Sequence, residues 1–226
     1  MRVKLLSVIG ILASVNSVAQ GGIQLREYEK LWEQKSADKK FLEQCAGWWG
    51  NENAISRILL RLHTLKNKYT SVLDVGCGFC TDYDALKRSS ILLDYMAVDI
   101  CPTFVDQAQQ RGIPARVARA QQLPFEDGSY DLVYARHVVE HTKDLPEVLK
   151  EMIRVAGREV AIVFFAKPTE MLVDRIQLVN VDGYMIYQNH YSKAKIESLL
   201  RSIEKVKSFS WQEVKNKDEC ILHILV

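Results

Sequence analysis

From Ser71 onward, short apolar segments alternate with longer amphipathic ones. Short apolar segments bounded by polar residues predict buried strands, and the amphipathic segments between them predict helices. The predicted strands are 72–75, 95–99, 116–118, 130–135 and 159–165. The predicted helices are 82–88, 103–111, 138–141 and 145–155. This alternation is typical of a parallel sheet with helices on both faces.

The C-terminal part of the pattern differs. A helix over about 192–203 is followed by two apolar segments, 206–214 and 220–226, which a short charged turn joins. Two strands joined so closely must be antiparallel. The predicted fold class is therefore α/β: a doubly wound, Rossmann-like, three-layer α/β/α domain. Its seven-stranded sheet is mostly parallel and ends in a C-terminal antiparallel hairpin strand.

The first seventy residues predict a helical extension. Residues 25–45 mix aromatic and charged residues at helical spacing, and a second helix begins at Asn53 as its N-cap. Its predicted apolar face follows the i, i+3, i+4 rule. That face consists of Ile55, Ile58, Leu59, Leu62 and Leu65. We expect Trp32 and the Trp48-Trp49 pair to anchor the extension, although a cover over an acceptor site is the alternative.

The N-terminus resembles a secretory signal. Arg2 and Lys4 precede an apolar run over 5–15, and small residues follow at 17–19. The run is shorter than the ~20 residues that a membrane-spanning helix needs. A buried or amphipathic starting segment is the alternative. The predicted organisation is a signal-like segment (1–20), a helical extension (21–70) and one ligand-binding domain (71–226).

Composition and charge give little information about the kind of binding partner. The 226 residues are 48% hydrophobic and 26% charged, which is ordinary for a globular protein. A net charge of +2, without long blocks of like charge, gives no indication of binding to nucleic acid or to an anionic membrane.

The cysteines favour a reducing compartment. They are five in number and scattered, which does not suggest a disulfide framework. A cytoplasmic location is therefore favoured, with export or membrane association through residues 1–20 as the alternative. Cys77 and Cys80 form a Cys-x-x-Cys, but no second Cys/His pair follows at ligand spacing, so we predict no metal site.

A glycine loop and a distant acid predict a nucleoside site. Asp74, Gly76 and Gly78 surround the turn that leaves the first predicted strand, and backbone without side chains lets a ligand approach closely. Asp99 ends the second strand about twenty residues later, where it can accept hydrogen bonds from ribose hydroxyls. The alternative is a tight turn with an ordinary acid at a strand end.

A nicotinamide dinucleotide is a competing ligand for this loop. Dinucleotide sites use a third glycine so that the helix N-terminus approaches the pyrophosphate. Thr81 occupies that position here, and Asp74 and Asp82 would repel a pyrophosphate. The same two carboxylates suit the ammonium group of a methionine, so charge favours a sulfonium nucleoside over a dinucleotide.

Three segments, in order, resemble a known family. They are 72–82 (VLDVGCGFCTD), 97–100 (AVDI) and 123–144 (LPFEDGSYDLVYARHVVEHTKD). Together they resemble the class I S-adenosylmethionine-dependent methyltransferases, particularly the group with a type 11 methyltransferase domain. The resemblance covers about 71–168. It implies an enzyme that takes S-adenosyl-L-methionine as methyl donor and transfers the methyl group to an acceptor, which we expect to be a small or lipid-like molecule.

The resemblance also implies a donor site. Its residues are Asp74, Gly76, Gly78, Asp99, Ile100, Ala120, Gln121, Ala135 and Arg136. In this assignment Asp99 binds the ribose, Ile100 contacts adenine, and the two glycines pass under the nucleoside. Asp74, Ala135 and Arg136 lie at the methionine end.

The chain departs from the family pattern at two positions. Cys80 stands where a third glycine is frequent, and Arg119 stands where an acid often meets the adenine amino group. Arginine cannot accept that hydrogen bond, so Ala120, Gln121 or a backbone carbonyl accepts it instead, or adenine recognition is weakened. Further along, Ser192 is the expected N-cap of the last helix.

Candidate catalytic residues follow the fourth strand. His137 and His141 are candidate bases, because imidazole titrates near neutrality, although His141 is also frequent in this group as a structural residue that ends a helix. Tyr187, His190 and Tyr191 either line an acceptor pocket or pack at the domain edge. A non-catalytic protein that keeps the donor site to bind a ligand or a partner remains the alternative function.

Overall fold

The computed structural model describes residues 27–51, 53–181, 183–215 and 217–226, without the side chains of residues 27, 28, 48 and 49. The predicted signal-like segment 1–20 and the side chains of Trp48 and Trp49 therefore lie outside the described part. Among the described residues, no helix combines the length and apolar character that crossing a membrane requires.

A seven-stranded sheet forms the centre of the protein. Its strands are β1 (Ser71–Val75), β2 (Asp94–Asp99), β3 (Ala115–Val117), β4 (Tyr130–Arg136), β5 (Ala156–Phe164), β8 (Ser208–Glu213) and β9 (Cys220–Leu225). Their order across the sheet is β3-β2-β1-β4-β5-β9-β8. Strands β1 to β5 are parallel, and β9 is antiparallel to both of its neighbours. The predicted fold class is confirmed.

The helices pack on both faces of the sheet. They are α1 (Glu27–Ser36), α2 (Lys39–Trp49), α3 (Ile55–Asn67), α4 (Thr81–Arg88), α5 (Pro102–Gln110), α6 (Leu145–Val155) and α7 (Lys193–Ser202). One 3₁₀ turn, Val139–His141, replaces the helix predicted over 138–141. Ser192 is the N-cap of α7, as predicted, and its hydroxyl accepts a hydrogen bond from the Lys195 backbone.

Two apolar clusters, one on each face, hold the layers together. Leu149 of α6 and Leu200 of α7 belong to the first cluster. Leu60, Leu86 and Val105, from α3, α4 and α5, belong to the second. Each buried aliphatic side chain of this size stabilises the fold by roughly 1.5–3 kcal/mol relative to leaving it exposed.

The apolar face predicted for α3 is wrong. The helix buries Ser56, Arg57, Leu60 and Thr64, whereas Leu62 is 58% exposed. Ile55 and Leu65 are exposed as well. A polar partner favours this face, because Arg57 forms an ion pair with Asp82 of α4 at 2.5 Å.

The predicted N-cap of α3 is wrong too, because Ala54 occupies that position without a side-chain hydrogen bond. Asn51 instead closes the turn before the helix, where its side chain accepts a hydrogen bond from the Asn53 backbone at 3.0 Å.

A second, two-stranded sheet was not predicted. Its strands β6 (Leu178–Val181) and β7 (Tyr184–Tyr187) form an antiparallel hairpin between β5 and α7. The sequence does carry a signal for it, since Asp182-Gly183 is a typical hairpin turn dipeptide, and Gly183 has a φ of +91°. The hairpin packs against α1, at the end of the main sheet where parallel strands finish.

Candidate functional site

A cavity opens at the carboxyl ends of β1, β2 and β4. The strand order reverses between β1 and β4, and ligands of open α/β sheets bind in the crevice at such a reversal. The cavity has an empty volume of about 1080 Å³. All predicted site residues except one line it: Asp74, Gly76, Gly78, Asp99, Ile100, Ala120, Gln121, Arg136, His137 and His141. The exception is Ala135, whose side chain is buried in the core.

The glycine loop is fixed to the end of β2. The backbone N–H groups of Gly76 and Cys77 both donate to the Val98 carbonyl, at 2.8 and 3.1 Å. Gly76 has a φ of +73°, and a Cβ atom built there would lie 2.4 Å from a methyl carbon of Val138. Only glycine fits this position without displacing a neighbour.

Asp99 is held in place by backbone donors. Its Oδ2 accepts from the Gly78 N–H at 3.0 Å, and its Oδ1 accepts from the Cys101 N–H at 2.9 Å. Burial raises the pKa of this carboxyl, and the two backbone donors act in the opposite direction. Each carboxylate oxygen has two lone pairs, so both oxygens keep capacity for a further donor, such as a ribose hydroxyl.

The opposite end of the cavity is acidic. Asp74 accepts a hydrogen bond from the Tyr95 hydroxyl, and Asp82 pairs with Arg57. Burial and the nearby Asp82 carboxylate raise the pKa of Asp74 to about 7. This end suits a cationic group, because a positive charge would favour the ionised form of Asp74.

Arg119 has a partner that sequence reasoning missed. Its guanidinium donates two hydrogen bonds to Glu29 of α1, at 2.8 and 2.6 Å, and both residues line the cavity. Where the family often has an acid, this chain therefore has an Arg–Glu pair whose carboxylate comes from the extension. The only signal in the sequence was indirect: a basic residue at a position that is usually acidic calls for a compensating acid elsewhere.

His137 lies where β4 ends and has a strained backbone, with a φ of +57°. Its N–H donates to the Val163 carbonyl at 2.9 Å, and its Nε2 lies 3.4 Å from a carboxylate oxygen of Glu219. Burial lowers the pKa of His137, and the hydrogen bond with Glu219 opposes this effect.

His141 follows in the 3₁₀ turn. Its Nδ1 donates to the Tyr187 carbonyl at 2.6 Å, which leaves Nε2 as an acceptor. Burial lowers the pKa of His141 to about 4, so the ring is neutral near pH 7. The Trp32 ring meets the imidazole edge-on, with 4.9 Å between the centroids.

A second cavity lies directly beside the first and has an empty volume of about 740 Å³. It is lined by Trp32, Phe41, His137, His141, Phe165, Val181, Tyr184, Ile186 and Gln188. The two cavities share Trp32, His137 and His141. The extension, the unpredicted hairpin and the two candidate bases therefore meet at one boundary.

The other predicted residues of this region lie outside both cavities. Tyr191 is buried, and its hydroxyl donates to the carbonyls of Val139 and Thr142 at 2.8 and 2.6 Å. His190 exchanges backbone hydrogen bonds with Arg175. Tyr187 contributes through its carbonyl, which orients His141. For Tyr191 and His190, the structure shows packing and backbone pairing.

The Cys-x-x-Cys thiols are both free. A hydrogen bond with Cys80 and burial raise the pKa of the Cys77 thiol, which disfavours the thiolate. Cys80 is fully buried and precedes α4 in a left-handed conformation. The described residues do contain one group with the spacing of metal ligands, but it consists of other residues.

The fold and the cavities define an α/β protein with one cavity at the reversal of strand order and an adjoining apolar pocket. Residues 73–164 match the family model of the methyltransferase domain. The chain is 30% identical over 113 residues to a malonyl-[acyl-carrier protein] O-methyltransferase from Halorhodospira halophila, covering 48% of this chain and 38% of that protein. It is 31% identical over 110 residues to ajmaline N-methyltransferase from Rauvolfia serpentina, covering 45% and 37%. The chain thus spans well under half the length of these curated relatives.

Solved structures agree on the fold. Magnesium protoporphyrin IX methyltransferase from Synechocystis PCC 6803 with bound SAM aligns with a TM-score of 0.60 at 15% identity, covering 89% of this chain and 98% of that chain. A protein from Pyrococcus horikoshii OT3 aligns with a TM-score of 0.59 at 18% identity, covering 89% and 99%.

The predicted resemblance is confirmed, because residues 73–164 match the family model of the methyltransferase domain. The family uses S-adenosylmethionine as its methyl donor, so the cofactor prediction is confirmed at the level of the domain.

Proposed function

We propose that this protein transfers the methyl group of S-adenosylmethionine to a small-molecule or lipid-like acceptor bound in the second cavity. The observation that carries the proposal is the meeting of the two cavities at His137 and His141. A donor site alone would need only the first cavity. The relatives support the class of acceptor, since their names include an acyl-carrier-protein thioester and alkaloids.

The residues of the first cavity fit the donor. Asp99 offers acceptor capacity to a ribose, and Gly76 lines the cavity at a position where a Cβ atom would collide with Val138. The acidic end with Asp74 and Asp82 suits the ammonium of the methionine moiety. When bound, S-adenosylmethionine supplies an electrophilic methyl group on a sulfonium.

The lining of the second cavity selects an apolar acceptor. Its walls are mainly aromatic and aliphatic, with Trp32, Phe41 and Phe165 among them, and Gln188 is a polar exception. Such a wall excludes water and binds flat or hydrocarbon groups through buried area, while a few polar groups fix their orientation. We expect the nucleophilic atom of the acceptor to lie at the shared boundary, beside the two histidines.

We assign His137 as the general base that takes a proton from the methyl acceptor. Glu219 lies 3.4 Å from its Nε2 and would stabilise the imidazolium that forms. Burial would raise the pKa of Glu219, but hydrogen bonds from His137 and Ser56 lower it to about 2, so the carboxylate is ionised. His141 is neutral, and the Tyr187 carbonyl orients its ring. Its Nε2 therefore accepts a hydrogen bond from the molecule that is to be methylated.

A non-catalytic protein that binds the donor nucleoside is the second candidate. The observation that favours it is the Arg119–Glu29 pair, which replaces the acid that often meets adenine. A nicotinamide dehydrogenase is disfavoured, because Thr81 and Asp82 occupy the turn where a dinucleotide's pyrophosphate would lie. The three functions differ in ligand binding and in turnover.

Calorimetric titration of the full chain with S-adenosylmethionine, S-adenosylhomocysteine and NAD tests the donor site. We expect both sulfur nucleosides to bind and NAD not to bind. Asp99→Asn should raise both Kd values by roughly 5- to 150-fold, which corresponds to the ~1–3 kcal/mol of a hydrogen bond to a charged group. Asp94→Asn is the matched control, because Asp94 is exposed at the other end of the same strand. An unchanged Kd in Asp99→Asn would refute the ribose role.

Turnover is tested with methyl-labelled donor and a panel of aromatic and aliphatic amines, alcohols and carboxylic acids. Transfer to any apolar member supports the enzyme, and His137→Gln should then reduce kcat by ~10²–10⁴ without changing the donor Kd. Donor binding without transfer across the panel would favour the non-catalytic alternative.

A further inference from the structure

Three side chains converge on the far side of the second apolar cluster from the cavities. His63 of α3, Glu159 of β5 and His223 of β9 each offer a ligand atom, and all these atoms lie within 4.8 Å of one another. Glu159 lies near the amino end of β5, whereas both cavities lie at the carboxyl ends of the strands. The group is thus separate from the candidate active site, and this inference does not depend on the proposed function.

Both ring nitrogens of His223 face side-chain oxygen atoms. Its Nδ1 lies 2.7 Å from Oε1 of Glu159, and its Nε2 lies 3.1 Å from Oε1 of Gln212. Both of these oxygens are acceptors, but a neutral imidazole has only one N–H to donate. A metal ion bound at Nδ1 would leave the single N–H of the imidazole on Nε2, where Gln212 accepts it.

His63 directs its ring at the same carboxylate. Its Nε2 lies 2.8 Å from both oxygens of Glu159, and Nδ2 of Asn67 lies 3.1 Å from the same nitrogen. One divalent cation would satisfy His63 and His223 together.

We propose that His63, Glu159 and His223 form a zinc site that joins the helical extension to the sheet. Two histidines and one glutamate are an established ligand set for Zn²⁺, with a water molecule in the fourth position. His63 is 26% exposed at its side chain and provides the entry path, whereas Glu159 is 1% exposed.

The surroundings of the three ligands fit this assignment. Ligating histidines normally donate their other ring nitrogen to an acceptor, and Gln212 supplies that acceptor for His223. Glu159 also accepts a hydrogen bond from the Tyr69 hydroxyl. Asn67 keeps a 2.9 Å hydrogen bond to the His63 carbonyl even when Nε2 binds a metal. Because zinc–ligand distances are about 2.0–2.2 Å, the hydrogen-bonded ligand atoms need to separate only slightly to admit the ion.

Metal titration of the untagged full chain, after treatment with a chelator, tests the site. We expect one Zn²⁺ per chain by calorimetry. Co²⁺ should give visible ligand-field bands without a thiolate charge-transfer band. At a zinc concentration about a hundredfold above Kd, the Tm should rise by about 5–10 °C, because the metal binds the folded chain. Absence of binding would overturn the proposal.

Variants distinguish this site from adventitious binding. His223→Gln and His63→Gln should each abolish the Co²⁺ bands and the Tm rise. His63→Gln serves as the second variant if the more buried His223→Gln fails to fold. His190→Gln and the double variant Cys77→Ser/Cys80→Ser should retain both signals. Binding that survives both cluster variants, or that is lost in the cysteine variant, would overturn the assignment.

Discussion

Variants of the ion pair between Glu29 and Arg119 give the strongest test of how the helical extension is held over the first cavity. The two hydrogen bonds of 2.8 and 2.6 Å join α1 to the segment after β3. The Glu29 side chain is 4% exposed and the Arg119 side chain 15%. Glu29→Gln keeps the shape of the side chain and one acceptor oxygen but removes the negative charge that faces the largely buried guanidinium.

Removing one member of a buried ion pair costs about 3–5 kcal/mol, because the remaining charge stays desolvated. Glutamine retains one acceptor, so we expect Glu29→Gln to lower the free energy of unfolding by about 2–3 kcal/mol. The double variant Glu29→Gln/Arg119→Gln removes the stranded charge as well. It should therefore be less destabilised than the sum of the two single variants, with a coupling energy of about 2 kcal/mol.

Urea unfolding followed by tryptophan fluorescence measures these energies, since Trp32 lies in the same helix. Glu43→Gln is the matched control, because its partner Lys39 is 3.8 Å away and both side chains are largely exposed. An exposed pair of this kind contributes little, so no measurable change is expected. Single-variant effects that add within ~0.5 kcal/mol would refute the coupling between Glu29 and Arg119.

Three further variants test the loop, a buried acid and the core. Gly76→Ala should destabilise the fold and weaken donor binding, because its Cβ would collide with Val138 at 2.4 Å; calorimetry that finds an unchanged donor Kd would argue against the loop geometry. Burial raises the pKa of Glu140 from 4.5 to about 8, so between these pH values the folded state binds one proton more than the unfolded state and stability falls as pH rises. The urea midpoint should therefore depend less on pH in Glu140→Gln than in the parent protein. Parallel pH profiles for the two proteins would contradict this. Leu222→Ala, in the centre of β9, should cost about 2–5 kcal/mol in urea unfolding, whereas a cost below ~1 kcal/mol would show that the core refills the cavity.

Local patterns were sufficient for the sheet. Strands β1, β2, β4 and β5 are largely buried on both faces, so each contains a short, mainly apolar stretch that stands out in the sequence. The glycine loop was equally visible, because a turn with positive φ at Gly76 restricts the residue type at that point in the chain.

The extension shows where periodicity fails. Helix α3 offered an apolar stripe at helical spacing, yet it buries Arg57 and Thr64 and exposes Leu62. A prediction from the hydrophobic pattern chooses the buried face of a helix by its apolar content alone. The ion pair between Arg57 of α3 and Asp82 of α4 favours a different buried face, and it forms only when the two helices are packed together.

The sequence by itself determined the fold class and the resemblance to the methyltransferase domain, and nearly all the site residues that it predicted line the first cavity. Each of these depends on contacts within a strand, a turn or a short motif. The tertiary structure decided the partner of Arg119, the role of Trp32 in both cavities, the hairpin beside them and the cluster of His63, Glu159 and His223. These features join side chains that are distant in the chain, and their geometry depends on how whole elements pack. No local pattern of residue types encodes such a pairing before the layers are assembled.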